Sequence, residues 1–424
     1  MKKPFFGLTR PKLAYSGIDD TGPDIQEIPV PERIFFSRQI KKGEGPTISR
    51  GQEVRTGQRL RPLEDMRVCV TATATGVIGD VSVETDYSGR TTLSMSIETE
   101  PKDRWDPEFE QAGISAQSED VLSYLSALPG ISDLIPLVRR ENPLDTILVS
   151  GFDRDLLTAT NQLSLKTGAA NLARGIEVMK QMTGVNRVMV AAPPSLASEA
   201  ERGGVEVRIQ NPLYPGADPR LLVRSILGTT VLPSRPLTDV NVGVVSAEGV
   251  IAMGRAFQDQ RPPVSKLLTV IGKDNRPVAV RARIGTPVGH LLNTLHIEVS
   301  GGDRLVLGGP MAGKGIYSVD VPIGPDTDAV MVQDKDHVIP PSSEPCINCG
   351  ECVRACPARV PVNMLIRLLE NGLYEEAAQQ YDLLSCIECG LCSYVCMMRI
   401  PIFHYIMLGK HELALSGYLE ESHG

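Results

Sequence analysis

Eight of the nine cysteines in this 424-residue chain fall into two copies of one spacing, CxxCxxCxxxC. The first copy is CINCGECVRACP, residues 346–357, and the second is CIECGLCSYVCM, residues 386–397. Thiolates at that spacing place three ligands around one metal–sulfur corner and leave the fourth beyond it. Where two such runs hold two [4Fe-4S] clusters, the last cysteine of each run ligates the cube of the other. On that rule Cys346, Cys349, Cys352 and Cys396 form one ligand set, and Cys386, Cys389, Cys392 and Cys356 form the second. Gly350 and Gly390 stand inside the loops, where backbone N–H groups must come close to sulfur. Pro357 closes the first run, whereas Met397 takes the equivalent place in the second. That difference bears on solvent access or potential at Cys396 and removes no ligand.

Other uses of cysteine fit less well. A zinc site takes four ligands, mostly as two CxxC pairs, and has no use for two interlocked sets of four. Disulfides belong to an oxidising compartment reached through a secretory signal. The N-terminus, MKKPFFGLTRPKLAYSG, carries charge without an apolar signal region, and no apolar run reaches membrane-spanning length. The ninth cysteine, Cys69 in RVCVTA, reads as a small buried hydrophobe. Forty-three basic and fifty-one acidic residues leave a net charge of −8 without a basic block, which argues against nucleic acid as a partner.

The elements that must position the two runs come from a chain long enough for roughly three or four domains. Residues 1–105 read as short strands and turns: GPTISRGQEVRTGQRL, then RVCVTATATGVIGDVSVETD, a DYSGR turn, and TTLSMSIETE with Leu93, Met95 and Ile97 on one face. This layout predicts a barrel-sandwich of the biotinyl or lipoyl kind. No lysine stands at its tip, so a swinging-arm cofactor is not expected. Residues 106–235 alternate strands (DTILVSG, RVMVAAP, VEVRIQN) with a helix carrying Leu172, Ile176 and Met179, which predicts a Rossmann-like α/β domain. Residues 236–333 hold NVGVVS, KLLTVIG, PVAVRARIG and DRLVLGG with one short helix at TPVGHLLNTL, a β-grasp (SLBB-like) pattern.

Residues 334–424 open with a polar linker, QDKDHVIPPSSEP, and continue into the cysteine runs. Between the runs, Pro361 begins a helix with Leu365, Ile366, Leu368 and Leu369, which stops at Asn371-Gly372. A second helix aligns Tyr374, Ala377, Ala378 and Tyr381, and IFHYIMLGKHELA supplies a third. The expectation is a helical ferredoxin-like dicluster domain. GGPMAGKG (308–315) imitates a phosphate-binding loop, but Gly315 replaces the magnesium-holding Ser/Thr and a strand pattern follows where a helix is needed. Nucleotide hydrolysis is therefore not expected.

Taken in order, these modules resemble the C subunit of the Rnf family, the ion-translocating ferredoxin oxidoreductases, which is itself similar to the flavin-carrying, NADH-oxidising subunit of complex I. The resemblance is carried by both cysteine runs with LENGLYEEAAQQYDLLSCIECGLC, by NPLYPGADPRLLVRSILGTTVLP, by DVNVGVVSAEGVIAMGRAF, and by VRARIGTPVGHLL with LGGPMAG. It implies a peripheral subunit on the cytoplasmic face of the inner membrane, two [4Fe-4S] clusters, membrane subunits as partners, and electron exchange coupled elsewhere to ion movement. NADH-linked members have a GxGGxGFP loop, where this chain has SAQSEDVLSYLSALPGISDLIPL (115–137), with Gly130 alone. Their GAECEP is here GFDRDL, in which Asp153 and Asp155 retain carboxylates while Phe152 and Arg154 fill the space beside them. The FMN/NADH motif is thus degraded.

The expected function is electron transfer between a redox protein, cytochrome or ferredoxin-like, and the membrane subunits. FMN is not expected, nor NADH oxidation by this chain alone. The alternatives are an FMN-dependent NADH dehydrogenase subunit of the same kind of complex and, from another class, a scaffold or sensor with structural clusters.

Overall fold

The computed structural model describes residues 11–17, 24–40, 45–63, 69–85, 91–111, 121–140, 143–231 and 235–416. The DYSGR turn, Val68, the first ten residues and residues 115–120 lie outside that set. The chain mixes α and β structure, and its C-terminal part is helical.

An antiparallel sheet runs in the order Arg33–Gln39, Thr91–Thr99, Gly76–Thr85, Glu53–Val54. Alternation explains it: Leu93, Met95 and Ile97 are buried on one face of a strand, with Ser94 and Glu98 less covered and Ser96 buried on the other face. Glu53 and Val54 pair with Val77 and Gly76, so EVRTGQRL and TATGVIGDV do meet.

A parallel sheet follows in the order Glu206–Ile209, Arg187–Ala192, Thr146–Ser150, Val242–Ser246. Its central strands are continuous apolar runs, buried on both faces as helix-covered parallel strands require. Leu172, Ile176 and Met179 of the helix Leu172–Thr183 enter the largest core. The strand Val242–Ser246, read from the sequence as part of the following module, pairs in parallel with Thr146–Ser150 instead. The reason lies in what comes next: Ser246 accepts the N–H of Gly249 at 3.1 Å and starts the helix Ala247–Asp259, which makes this a strand–helix unit of the parallel sheet.

A mixed sheet orders Gln26–Glu27, Pro277–Arg283, Ser265–Ile271, Ala329–Gln333, Arg304–Leu307 and Lys314–Ile316, with the helix Val288–Thr294 against it. It is tied to the helix that follows Val242–Ser246 by a buried pair, Lys266 and Glu248, with the half-exposed Asp328 beside it. Lys266 Nζ lies 3.3 Å from Glu248 Oε2 and 3.3 Å from Asp328 Oδ1, and donates to the carbonyl of Pro325 at 3.0 Å. Glu248 also accepts the N–H of Leu267 at 3.0 Å. Burial pushes the Glu248 carboxyl up to about 7 even beside this cation.

Lys266→Met leaves two carboxylates facing each other without their cation. Removing one partner of a buried pair costs about 3–5 kcal/mol. Urea unfolding should show a loss of that order, and Glu248→Gln added to Lys266→Met should recover part of it.

Candidate functional site

The two cysteine runs repeat one backbone at an offset of 40 residues, with Cys346 matching Cys386. Asn348 and Glu388 both take positive φ (56° and 58°), as do Arg359 and Arg399 (58° and 57°). Gly350 and Gly390 take 76° and 71°. Each left-handed turn aims an N–H inward: Asn348 donates to Cys346 Sγ and Glu388 to Cys386 Sγ, both at 3.4 Å. A short helix follows each loop, Glu351–Ala355 and Leu391–Tyr394. The longer helices Val362–Leu369, Tyr374–Tyr381 and Ile402–Leu415 supply the core that holds both loops, with Leu365, Ile366, Leu369, Ile402 and Ile406 buried.

The fold sorts the eight cysteines into two small cavities. One is lined by Cys346, Cys349, Cys352 and Cys396, with Ile366, Ile400 and Ile402. The other is lined by Cys386, Cys389, Cys392 and Cys356, with Val360, Val362 and Ile406. Each fourth cysteine sits with the opposite run. Among the described residues no group of three or more His, Cys, Asp or Glu is placed to hold a single metal ion.

Electrostatics makes bare thiolates costly in both places. Burial, reinforced by neighbouring cysteine charges, pushes the Cys352 thiol up to about 11 and that of Cys389 up to about 12. Cys392 is raised by the same causes. Cys386 is raised by burial although Lys410 pulls the other way. Four thiolates in an apolar lining require cationic charge at their centre, and this donor set, soft sulfur in sets of four, suits iron–sulfur cubes.

The cavities differ in their surroundings. Cys349 is exposed, and Ile347 and Met397 beside the first cavity are 57% and 63% exposed. The second loop is walled in by the rest of the chain. Tyr214 Oη donates to the Cys389 carbonyl at 2.6 Å. A Cβ on Gly390 would overlap the carbonyl oxygen of Met311, in the GGPMAG turn. That turn is held in place by Asp155, which accepts the N–H groups of Met311 (3.1 Å) and Ala312 (2.8 Å). The N-terminal segment closes the wall: Leu13 accepts the N–H of Tyr214 at 2.8 Å, and the Tyr15 and Tyr214 rings lie 5.7 Å apart.

The residues that stand where NADH-linked members carry their nucleotide motif bond to groups within the protein. Asp153 is buried, accepts the N–H of Asn161 at 2.8 Å and Gln162 Nε2 at 3.2 Å, and burial pushes its carboxyl up to about 6. Arg154 is paired with Asp133 at 2.6 Å. Gly130 precedes the helix Ile131–Val138, and its N–H goes to Asp326 Oδ1 at 3.0 Å. Asp326 also bonds the Ser132 side chain, so the protein's own carboxylate sits at that helix start. GGPMAGKG leads into the strand Lys314–Ile316, not a helix. A cleft of about 480 Å³ remains beside Cys389, bordered by Arg154, Tyr214, Arg220 and Glu388.

Residues 341–397 match the family model described as a 4Fe-4S dicluster domain. Over most of its length the chain is similar to curated proteins named as the C subunit of the ion-translocating oxidoreductase complex. The relative from Pectobacterium carotovorum subsp. carotovorum is 26% identical over 358 residues, covering 79% of this chain and 48% of that protein. The relative from Rhodobacter capsulatus is 25% identical over 381 residues, covering 84% of this chain and 73% of that protein. The resemblance to the Rnf C subunit is thereby borne out, and the chain spans about half the length of the Pectobacterium relative. A solved NAD+-reducing [NiFe]-hydrogenase aligns with TM-score 0.45 and 15% identity over 74% of this chain and 68% of that one. No helix among the described residues is long and apolar enough to cross a membrane.

Tyr214, Met311, Arg354 and Lys410 are neighbours of the cysteine loops that their motifs do not announce. NPLYPG and GGPMAG marked two of their segments, but nothing in a sequence ties residue 214 to residue 389. The packing around the equivalent glycines yields a differential test. Alanine at either pays for positive φ, roughly 1–2 kcal/mol. Gly350→Ala meets the flexible end of Arg354 at 3.1 Å, whereas Gly390→Ala collides with backbone. Thermal unfolding of the iron-loaded protein should show the larger loss for Gly390→Ala. Equal losses would mean that the Met311 turn does not hold this loop.

Proposed function

We propose that this chain is the peripheral iron–sulfur electron-transfer subunit of a membrane-bound Rnf-type ion-translocating oxidoreductase. It would work at the cytoplasmic face of the inner membrane, passing electrons between a redox protein, cytochrome or ferredoxin-like, and the membrane subunits. The observation that carries this reading is the pair of four-cysteine cavities with crossed membership. Cys346, Cys349, Cys352 and Cys396 would hold one [4Fe-4S] cluster, and Cys386, Cys389, Cys392 and Cys356 the other. Bound there, the clusters supply one-electron transfer. The chain's own residues would bind the iron, donate N–H groups to sulfur from Asn348 and Glu388, and fix the second loop through Tyr214 and Met311.

The remaining modules serve as scaffold and docking surface in this reading: a barrel-sandwich within 1–105, a Rossmann-like domain over 106–235, a β-grasp module over 236–333 and the dicluster domain over 334–424. The boundaries are crossed by Gln26–Glu27, which pairs with Pro277–Arg283, and by Val242–Ser246. Anaerobic reconstitution should load about eight iron and eight sulfide per chain, two cubes' worth. Stoichiometric zinc, or half the iron after exhaustive reconstitution, would contradict the assignment.

Direct NADH oxidation through FMN is not part of the proposal, since Asp326 takes the N–H of Gly130 and Asp155 takes those of the GGPMAG turn. A second reading is kept alive by the cleft beside Cys389, which is large enough for a planar cofactor and has Arg154 and Arg220 on its border. Flavin extraction and NADH-dependent bleaching separate the two. The first reading expects neither stoichiometric flavin nor bleaching; both together would return the chain to the NADH-linked class.

A further inference from the structure

The two cluster loops are built alike, yet the same atom in each is held by a different donor. In the first loop the Cys349 carbonyl accepts Arg354 Nη2 at 2.8 Å, from a side chain within the same run. In the second, the equivalent carbonyl of Cys389 accepts Tyr214 Oη at 2.6 Å, from a residue 175 positions away. Tyr394 stands at the repeat position of Arg354, so the second run has no arginine to repeat the contact. The replacement is a residue of the α/β region, placed by NPLYPG and backed by Tyr15.

These donors differ in kind. Arg354 is cationic and exposed, and Glu351 pairs with it at 2.7 Å. Tyr214 is neutral and 5% exposed. A second cation, Lys410, serves the Cys386 carbonyl at 2.7 Å, but Glu388 lies 2.7 Å from the same ammonium. Reduction adds negative charge to a cluster, and a donor whose hydrogen points toward its ligand loop stabilises the reduced form. Hydrogen bonding near the sulfurs and solvent exposure are the levers that set such potentials. Away from water a neutral O–H dipole counts for more than on the surface, while a paired surface cation is screened.

We propose that Arg354 and Tyr214 are matched positioning residues, one for each cluster, and that each raises the reduction potential of the cluster whose loop carbonyl it holds. Tyr214 thereby couples the α/β region to the potential of the second cluster, which the cysteine runs alone would not do. The inference rests on the two-cluster reading above.

The test uses the full chain, reconstituted anaerobically, with midpoint potentials read by EPR-monitored redox titration. Tyr214→Phe keeps the ring and its packing and removes only the donor. Arg354→Gln removes the cation from an exposed position, so this arm stands even where the buried ring tolerates no change. Each variant should lower the midpoint of one cluster signal and leave the other in place, and the two variants should move different signals. Arg174→Gln, which removes an exposed cation paired with Glu177 on the helix Leu172–Thr183, should move neither. The proposal is overturned if neither variant shifts a potential, if either shift is upward, if both variants move the same signal, or if one variant moves both signals equally. A wild-type protein without two cluster signals would instead overturn the reading on which the inference rests.

Discussion

The fourth cysteine of each run lies with the opposite run, and this crossing constrains everything around it. Cys356 ends the first run yet lines the cavity of Cys386, Cys389 and Cys392, while Cys396 returns to the cavity of Cys346, Cys349 and Cys352. Neither loop can be placed without the other. The helices Val362–Leu369, Tyr374–Tyr381 and Ile402–Leu415 are the means: they turn the chain so that two copies of one backbone face a shared apolar core. A repeat whose halves could fold independently would give two separable modules. Here residues of both runs and of the connecting helices share one apolar core.

Among the described residues, the rest of the chain meets the cysteine domain at the second loop and at Ala355 of the first run. Tyr214, the Met311 turn and the N-terminal segment converge on residues 389–391, whereas Cys349, Ile347 and Met397 remain open to solvent. Asp155 ties the wall together, because it anchors the turn whose backbone meets Gly390. Asp155 of GFDRDL and the GGPMAG turn satisfy one another with the protein's own groups. Asp326 at the start of the helix Ile131–Val138 fits the same pattern, since a carboxylate of the protein satisfies donors suited to an anion.

Local pattern made much of this legible from the sequence. The cysteine spacing carries its own ligand geometry, and the apolar periods of Leu172–Thr183, Val362–Leu369 and Tyr374–Tyr381 locate their helices without reference to the rest. The strand Val242–Ser246 lies in a different sheet from the one its sequence suggests, because a five-residue apolar run has no period that distinguishes a parallel core strand from one in a mixed sheet. Its partner, Thr146–Ser150, lies almost a hundred residues away. The same limit hid the Tyr214–Cys389 hydrogen bond and the Lys266–Glu248–Asp328 cluster, both of which exist only after distant elements pack. The carboxylates of GFDRDL were legible as unusual, but only the fold gives them partners: Asp153 caps local backbone and Asp155 holds a turn from another module.

The crossed ligand sets are tested most directly by serine substitution of single cysteines, with the two cluster EPR signals followed in each variant. Cys356→Ser should perturb the same signal as Cys386→Ser and Cys389→Ser, and Cys396→Ser the same signal as Cys346→Ser and Cys349→Ser. Cys356→Ser perturbing the signal that Cys346→Ser perturbs, with the other intact, would show that each run holds its own cluster and would contradict this account.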